Sequence, residues 1–70
     1  MKVGEIWICI KHASDFGLRK GDKTFIVELQ DGETVYFRRF YTTGELDTDC
    51  LFRCPREKFV KYFTASWSMK

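Results

Sequence analysis

The stretch Thr24–Phe40, TFIVELQDGETVYFRRF, sets two runs of alternating apolar residues on either side of one Asp-Gly pair, the pattern of a β-hairpin. Two registers compete for it. A two-residue loop, Asp31-Gly32, opposes Val27 to Tyr36 and Phe25 to Arg38. A three-residue loop, Gln30-Asp31-Gly32 with Gly32 as the left-handed bulge residue, opposes Val27 to Val35 and Phe25 to Phe37. Directly opposed side chains share a face, so the second register is the expected one, because it alone gathers the apolar side chains on one side. It places Phe25, Val27, Val35 and Phe37 together in the core.

Around this hairpin, 70 residues allow a single domain over 1–70, burying roughly 60% of the surface its unfolded chain exposes. At 44% hydrophobic and 17% aromatic, the chain is too apolar for disorder, and its rings supply most of the burial a small core needs. Twelve Lys and Arg against ten Asp and Glu leave a net charge of +2, weaker than the basic excess usual in polyanion binders. No apolar run approaches the ~20 residues of a membrane span. The start, MKVGEIWICIKH, has too short an apolar stretch, interrupted by Glu5, for a signal peptide. The expected setting is the cytoplasm, without membrane contact. An odd count of three cysteines fits a reducing compartment.

Upstream, Glu5–Lys11 reads as the first strand, with Ile6, Ile8 and Ile10 on one face and Trp7 and Cys9 on the other. Apolar on both sides, it is either central or covered by another segment. His12–Asp22, anchored only by Phe16 and Leu18, reads as a functional loop or a curled flap. Downstream, Thr42-Thr43-Gly44 signals a turn, and Asp49–Arg53 is the expected last strand. Pro55 then opens a short helix or 3-10 turn over PREKFVKYF, with Phe59, Val60 and Phe63 on one side. Trp67 in the tail is large enough to dock back onto the body. Short strands with turns between them predict an all-β fold, a small five-stranded barrel closed by that C-terminal helix.

Chemistry is sparsely marked. Cys9-x-x-His12 and Cys50-x-x-x-Cys54 carry the donors of a Cys₃His zinc site, but their placement on strands works against convergence. Cys50 and Cys54 along a strand lie about 13 Å apart at ~3.3 Å per residue. The simpler reading makes Cys9 and Cys50 small core residues, with Cys54 at a strand end. His12, Ser14 and Asp15 sit in one loop, whereas catalytic triads draw their members from different elements. Gly17-x-x-x-Gly21 lacks the Lys-Ser/Thr ending of a phosphate loop. The expectation is a protein that is not an enzyme and has no cofactor.

On the second hairpin strand, Tyr36, Arg38 and Phe40 project away from Val35 and Phe37. Rings beside guanidinium groups suit a protein-binding patch, where Tyr, Phe and Arg are enriched. They also suit base stacking with phosphate contact, although Glu28 on the same face weakens that case. The competing structural reading packs this face under the His12–Asp22 segment or the tail, with the arginines reaching out to solvent. Lys20, Lys23, Arg53, Arg56, Lys58 and Lys61 are scattered among acids and read as a mixed-charge surface.

The Gly4-Glu5-Ile6-Trp7-Ile8-Cys9 start, the Gly21-Asp22-Lys23 approach to a β-branched strand, the Asp31-Gly32 turn into Val35-Tyr36-Phe37, and the closing Phe59-Val60-Lys61-Tyr62-Phe63 resemble small SH3-like barrel proteins, particularly short ones encoded by bacteriophages and prophages. The resemblance implies a binding domain without naming its ligand. It implies, by analogy, an accessory protein that binds a host or viral protein in the host cytoplasm. Tyr36, Arg38, Phe40 and Trp67 are the expected contact residues. The alternative is a nucleic-acid-binding barrel that uses the same rings with Arg38, Arg39 and nearby lysines.

Overall fold

A computed structural model describes residues 1–68. Its elements are β1 (Ile6–Cys9), β2 (Lys23–Gln30), β3 (Thr34–Arg39), β4 (Phe52–Pro55), α1 (Arg56–Tyr62) and β5 (Phe63–Ala65), with 3-10 turns at Ser14–Phe16 and Ser66–Ser68. The five strands form one antiparallel sheet in the order β4-β3-β2-β1-β5. Among the described residues β4 and β5 do not pair with each other, so the strand ladder stays open rather than closing into a ring.

β2 and β3 form the hairpin, but not in the expected register. Asp31 and Gly32 both take positive φ, 52° and 70°, and the Glu33 N–H donates to the Gln30 carbonyl at 3.0 Å. Two successive left-handed residues mark the type I′ turn that Asp-Gly favours. Next to it Gln30 faces Thr34 and Leu29 faces Val35; farther along, Ile26 faces Phe37 and Phe25 faces Arg38. Val27, between the two zones, is the extra residue of a β-bulge. The bulge resets the alternation, so Ile26 and Leu29 both turn toward Val35 and Phe37, while Phe25 and Val27 remain half-buried away from that core. The opposition of Phe25 to Phe37 and of Val27 to Val35 is therefore incorrect; it assumed an unbroken period of two.

Two further boundaries differ from expectation. The strand assigned to Asp49–Arg53 begins only at Phe52 and runs through Pro55, whose φ of −59° and ψ of 140° keep it extended opposite Thr34. The helix is a full α-helix, but it is not the closing element. At Phe63 the chain returns to extended geometry, φ −130° and ψ 151°, and β5 pairs with β1. Three residues are too few to show a strand's alternation in sequence, which is why β5 was read as helix and tail.

The core lies on one side of the sheet, called here the inner face. Phe37 sits at its centre with no exposure, its ring 5.1 Å from Phe59, 5.3 Å from Phe16, 5.4 Å from Phe52 and 5.5 Å from Phe63. The segment after β1 is indeed a curled flap. Ala13 and Leu18 hydrogen-bond to each other through their backbones at 2.9 and 3.1 Å, and Leu18 is 1% exposed. Phe59 of α1 closes the same side, stacked on Phe63 at 4.4 Å.

Candidate functional site

The flap, α1 and the Ser66–Ser68 turn are all spent on the inner face, through Phe16 on Phe37, Phe59 on Phe37 and Trp67 on Trp7. Among the described residues the flap and tail do not cover the outer face, where Phe25, Tyr36, Arg38 and Phe40 are half-buried and Ile6, Lys23 and Arg53 are exposed. Strand pairing arranges that face as a grid. One row across the sheet is Ile6, Phe25 and Arg38; the next is Ile8, Lys23 and Phe40, the Phe40 N–H donating to the Lys23 carbonyl at 3.0 Å. A third row is Glu28, Tyr36 and Arg53. Phe25 and Phe40 meet edge to face at 6.3 Å, and Ile6 is 36% exposed. Of the expected contact residues, Tyr36, Arg38 and Phe40 thus share one face.

Arg38 is held in place. Its Nη1 donates to the carbonyls of Thr48 at 2.9 Å and Cys50 at 3.2 Å, which leaves the rest of the guanidinium unused by these bonds. Among the described residues no carboxylate lies within 4.0 Å of Arg38, Lys23 or Arg53. The scattered lysines and arginines of the sequence therefore include two, Lys23 and Arg53, that the fold gathers beside Arg38. Tyr36 donates its hydroxyl to Gln30 Oε1 at 2.8 Å.

Arg39 and Trp67 lie elsewhere. Strand alternation turns Arg39 to the inner side, where its Nε donates to Asp47 Oδ2 at 3.1 Å and its guanidinium lies 5.4 Å from the Tyr41 ring centre. Trp67, 60% exposed, packs edge-on against Trp7 at 6.2 Å on the same side. Asp47 is 3% exposed and ties the end of this hairpin, also accepting the Asp49 N–H at 3.0 Å. Burial pushes its carboxyl up, but the Asp49 N–H, the Arg39 guanidinium and the Tyr41 hydroxyl outweigh it and hold the pKa below the ordinary 3.8. The same contact with Asp47 raises the Tyr41 phenol above 10.0.

Asp47 therefore contributes stability that is complete above pH 3.8 and is lost as pH falls through its lower folded value. Tyr41 contributes stability that is present below pH 10.0 and fades as pH rises through its raised value. Urea unfolding of Asp47→Asn across pH 2–11 is expected to show lower stability at neutral pH and weaker dependence on both flanks. An unchanged acid limb would remove Asp47 as its source.

At the edge of the outer face, Ile6, Gly21, Asp22, Lys23, Phe40 and Tyr41 line most of a groove of about 390 Å³. The Asp22 carboxylate is turned into its own loop, accepting the Arg19 N–H at 2.8 Å. Lys23, Phe25 and Ile6 were not singled out from the sequence as site residues. Phe25 had been placed inside by the unbroken register, and it is the bulge at Val27 that sets it opposite Arg38.

The four zinc-donor candidates are not brought together. Cys9 and Cys54 are buried in the core, whereas Cys50, read as a core residue, is exposed. Among the described residues no group of three or more His, Cys, Asp and Glu is placed to hold a metal ion. Burial pushes both core thiols up, Cys54 to about 11, and the Cys9 thiol donates to the Lys11 carbonyl. His12 is exposed at a small depression with Ser14 and Asp15, where Asp15 pairs with Lys58 at 2.6 Å. No described helix is long and apolar enough to cross a membrane. Comparison with protein-family models, curated proteins and solved structures finds no match for the chain.

Proposed function

We propose that the protein is a non-catalytic binding module, an SH3-like barrel of phage-accessory type that holds a protein partner on its outer sheet face. One observation carries the reading: flap, helix and tail pack on the inner face, leaving Tyr36, Arg38 and Phe40 half-buried beside Ile6 and Phe25, with the loop carrying Thr48 and Cys50 hydrogen-bonded to Arg38 alone of the three. Half-buried rings beside an anchored arginine are the composition of protein-contact hot spots. The barrel assignment is supported by five short antiparallel strands around one ring-filled core, and the phage assignment by the resemblance of the motifs alone. Arg39 and Trp67 do not belong to this contact set.

A second reading, single-stranded nucleic acid, is favoured by the gathering of Lys23, Arg38 and Arg53 against one carboxylate, Glu28. Affinity isolation separates the two, using wild type and Phe40→Ala with and without nuclease. A partner lost with Phe40→Ala and kept after nuclease supports protein binding. A complex abolished by nuclease, weakening steeply between about 50 and 200 mM salt, supports nucleic acid. Equal capture by both chains would move the site off this face.

A further inference from the structure

We infer that the outer face recognises an extended acidic peptide segment with a bulky apolar side chain, carboxylates meeting Arg38 and Lys23 and the apolar group entering the adjoining groove. The inference rests on the outer face being the binding surface and adds the chemistry of what it takes.

Charge is the first argument. Lys23, Arg38 and Arg53 face outward without an ion-pair partner among the described residues, against Glu28 alone. The imbalance on this one face equals the net +2 of the whole chain. Arg38 is also preorganised, because two backbone carbonyls fix its Nη1 while other N–H groups remain for a ligand. A carboxylate approaching it therefore costs little side-chain entropy.

Spacing is the second. Arg38 opposes Phe25, and Lys23 lies two residues before Phe25 on β2, so the two cations are diagonal neighbours on the grid. Diagonal positions of an antiparallel pair are roughly 7–8 Å apart, close to the ~6.8 Å between alternate side chains of an extended chain. Carboxylates on alternate residues therefore reach both cations from one side. The other diagonal holds Phe25 and Phe40, whose rings give the segment an apolar bed. Beyond Lys23 the groove continues the track with Ile6, Phe40 and Tyr41 in its lining. At about 390 Å³ it falls in the size range of small-ligand pockets.

Nucleic acid offers anions and rings as well, but its phosphates are held by a stripe of cations, and Glu28 beside Tyr36 stands among the bases' stacking positions. A peptide places its carboxylates two at a time and leaves Glu28 uncontacted.

The test uses the full chain and fluorescein-labelled, end-capped peptides of pattern Glu-Ser-Glu-Ser-Phe and its reverse. Matched peptides carry Gln for Glu or Ala for Phe, and labelled oligothymidylate is the comparator. Binding by anisotropy is expected for a Glu/Phe peptide, about tenfold weaker with both Glu replaced by Gln. Lys23→Ala and Arg38→Lys are each expected to shrink that Glu-over-Gln preference. Among the described residues Lys23 makes no ion pair that its loss would break. Equal binding of Glu and Gln peptides, still lost in Phe40→Ala, would overturn the acidic inference and leave the outer face as the binding surface. Binding indifferent to Phe40→Ala would overturn both. Tighter binding of oligothymidylate than of any peptide, or no peptide binding at about 1 mM, would also overturn the inference.

Discussion

Phe37→Ala is expected to remove most of the protein's stability, whereas Phe25→Ala, two positions before the bulge on the neighbouring strand, should cost little. Phe37 has no solvent exposure and touches four other phenylalanine rings drawn from β4, β5, α1 and the flap. Removing it forfeits the transfer energy of a large ring and leaves a cavity that no single neighbour is placed to fill, about 3–5 kcal/mol in comparable cores. A 70-residue domain holds only about 4–10 kcal/mol at the usual stability per residue. The measurement is urea unfolding followed by near-ultraviolet circular dichroism on both variants. Phe25, half-buried on the outer face with one aromatic neighbour, has far less to lose. Equal losses would restore the pairing of Phe25 with Phe37 and undo the bulge.

Phe59→Ala is expected to free α1 and, with it, β5. Seven residues are too few for a helix to persist in water, so α1 depends on what it packs against. Phe59 is its one fully buried residue and touches Phe37, Phe63 and Trp7. Because β5 begins at the residue after α1, loosening the helix also loosens the pairing of Cys9 with Phe63 and of Trp7 with Ala65. The expected loss is again about 3–5 kcal/mol. Hydrogen exchange supplies the distinguishing readout: amides of β1 facing β5 and of β5 itself should lose protection before those shared by β2 and β3. Uniform loss of protection would show one cooperative unit instead.

The contrast between these two residues explains what could be read in advance. Val35 and Phe37 alternate cleanly behind an Asp-Gly turn, and both the hairpin and their burial followed from that spacing alone. Ile26 was hidden by Val27, because one inserted residue moves the apolar set to the opposite parity and no local signal announces it. β5 was hidden by brevity, and β4 by a proline that reads as a helix start yet remains in the ladder opposite Thr34. In the candidate site, Tyr36, Arg38 and Phe40 were visible because a single strand carries all three. Lys23 and Ile6 were not, since their nearness to Phe40 depends on cross-strand pairing that only the fold supplies. Arg39 sits next to Arg38 in sequence but on the other side of the sheet, held by an aspartate eight residues on.

The extra residue in β2 has one more consequence. With Val27 deleted, Ile26 would be followed by Glu28 and Leu29, and both pairing zones would run together with the same side chains inward and the same turn. Val27 is thus redundant for matching partners. What it adds is a localised bend and extra twist in the strand. Curvature here is an inserted trait, carried by one position rather than composed from the whole strand, and the concavity that receives five phenylalanine rings hinges on a valine touching none of the rules that pair the strands.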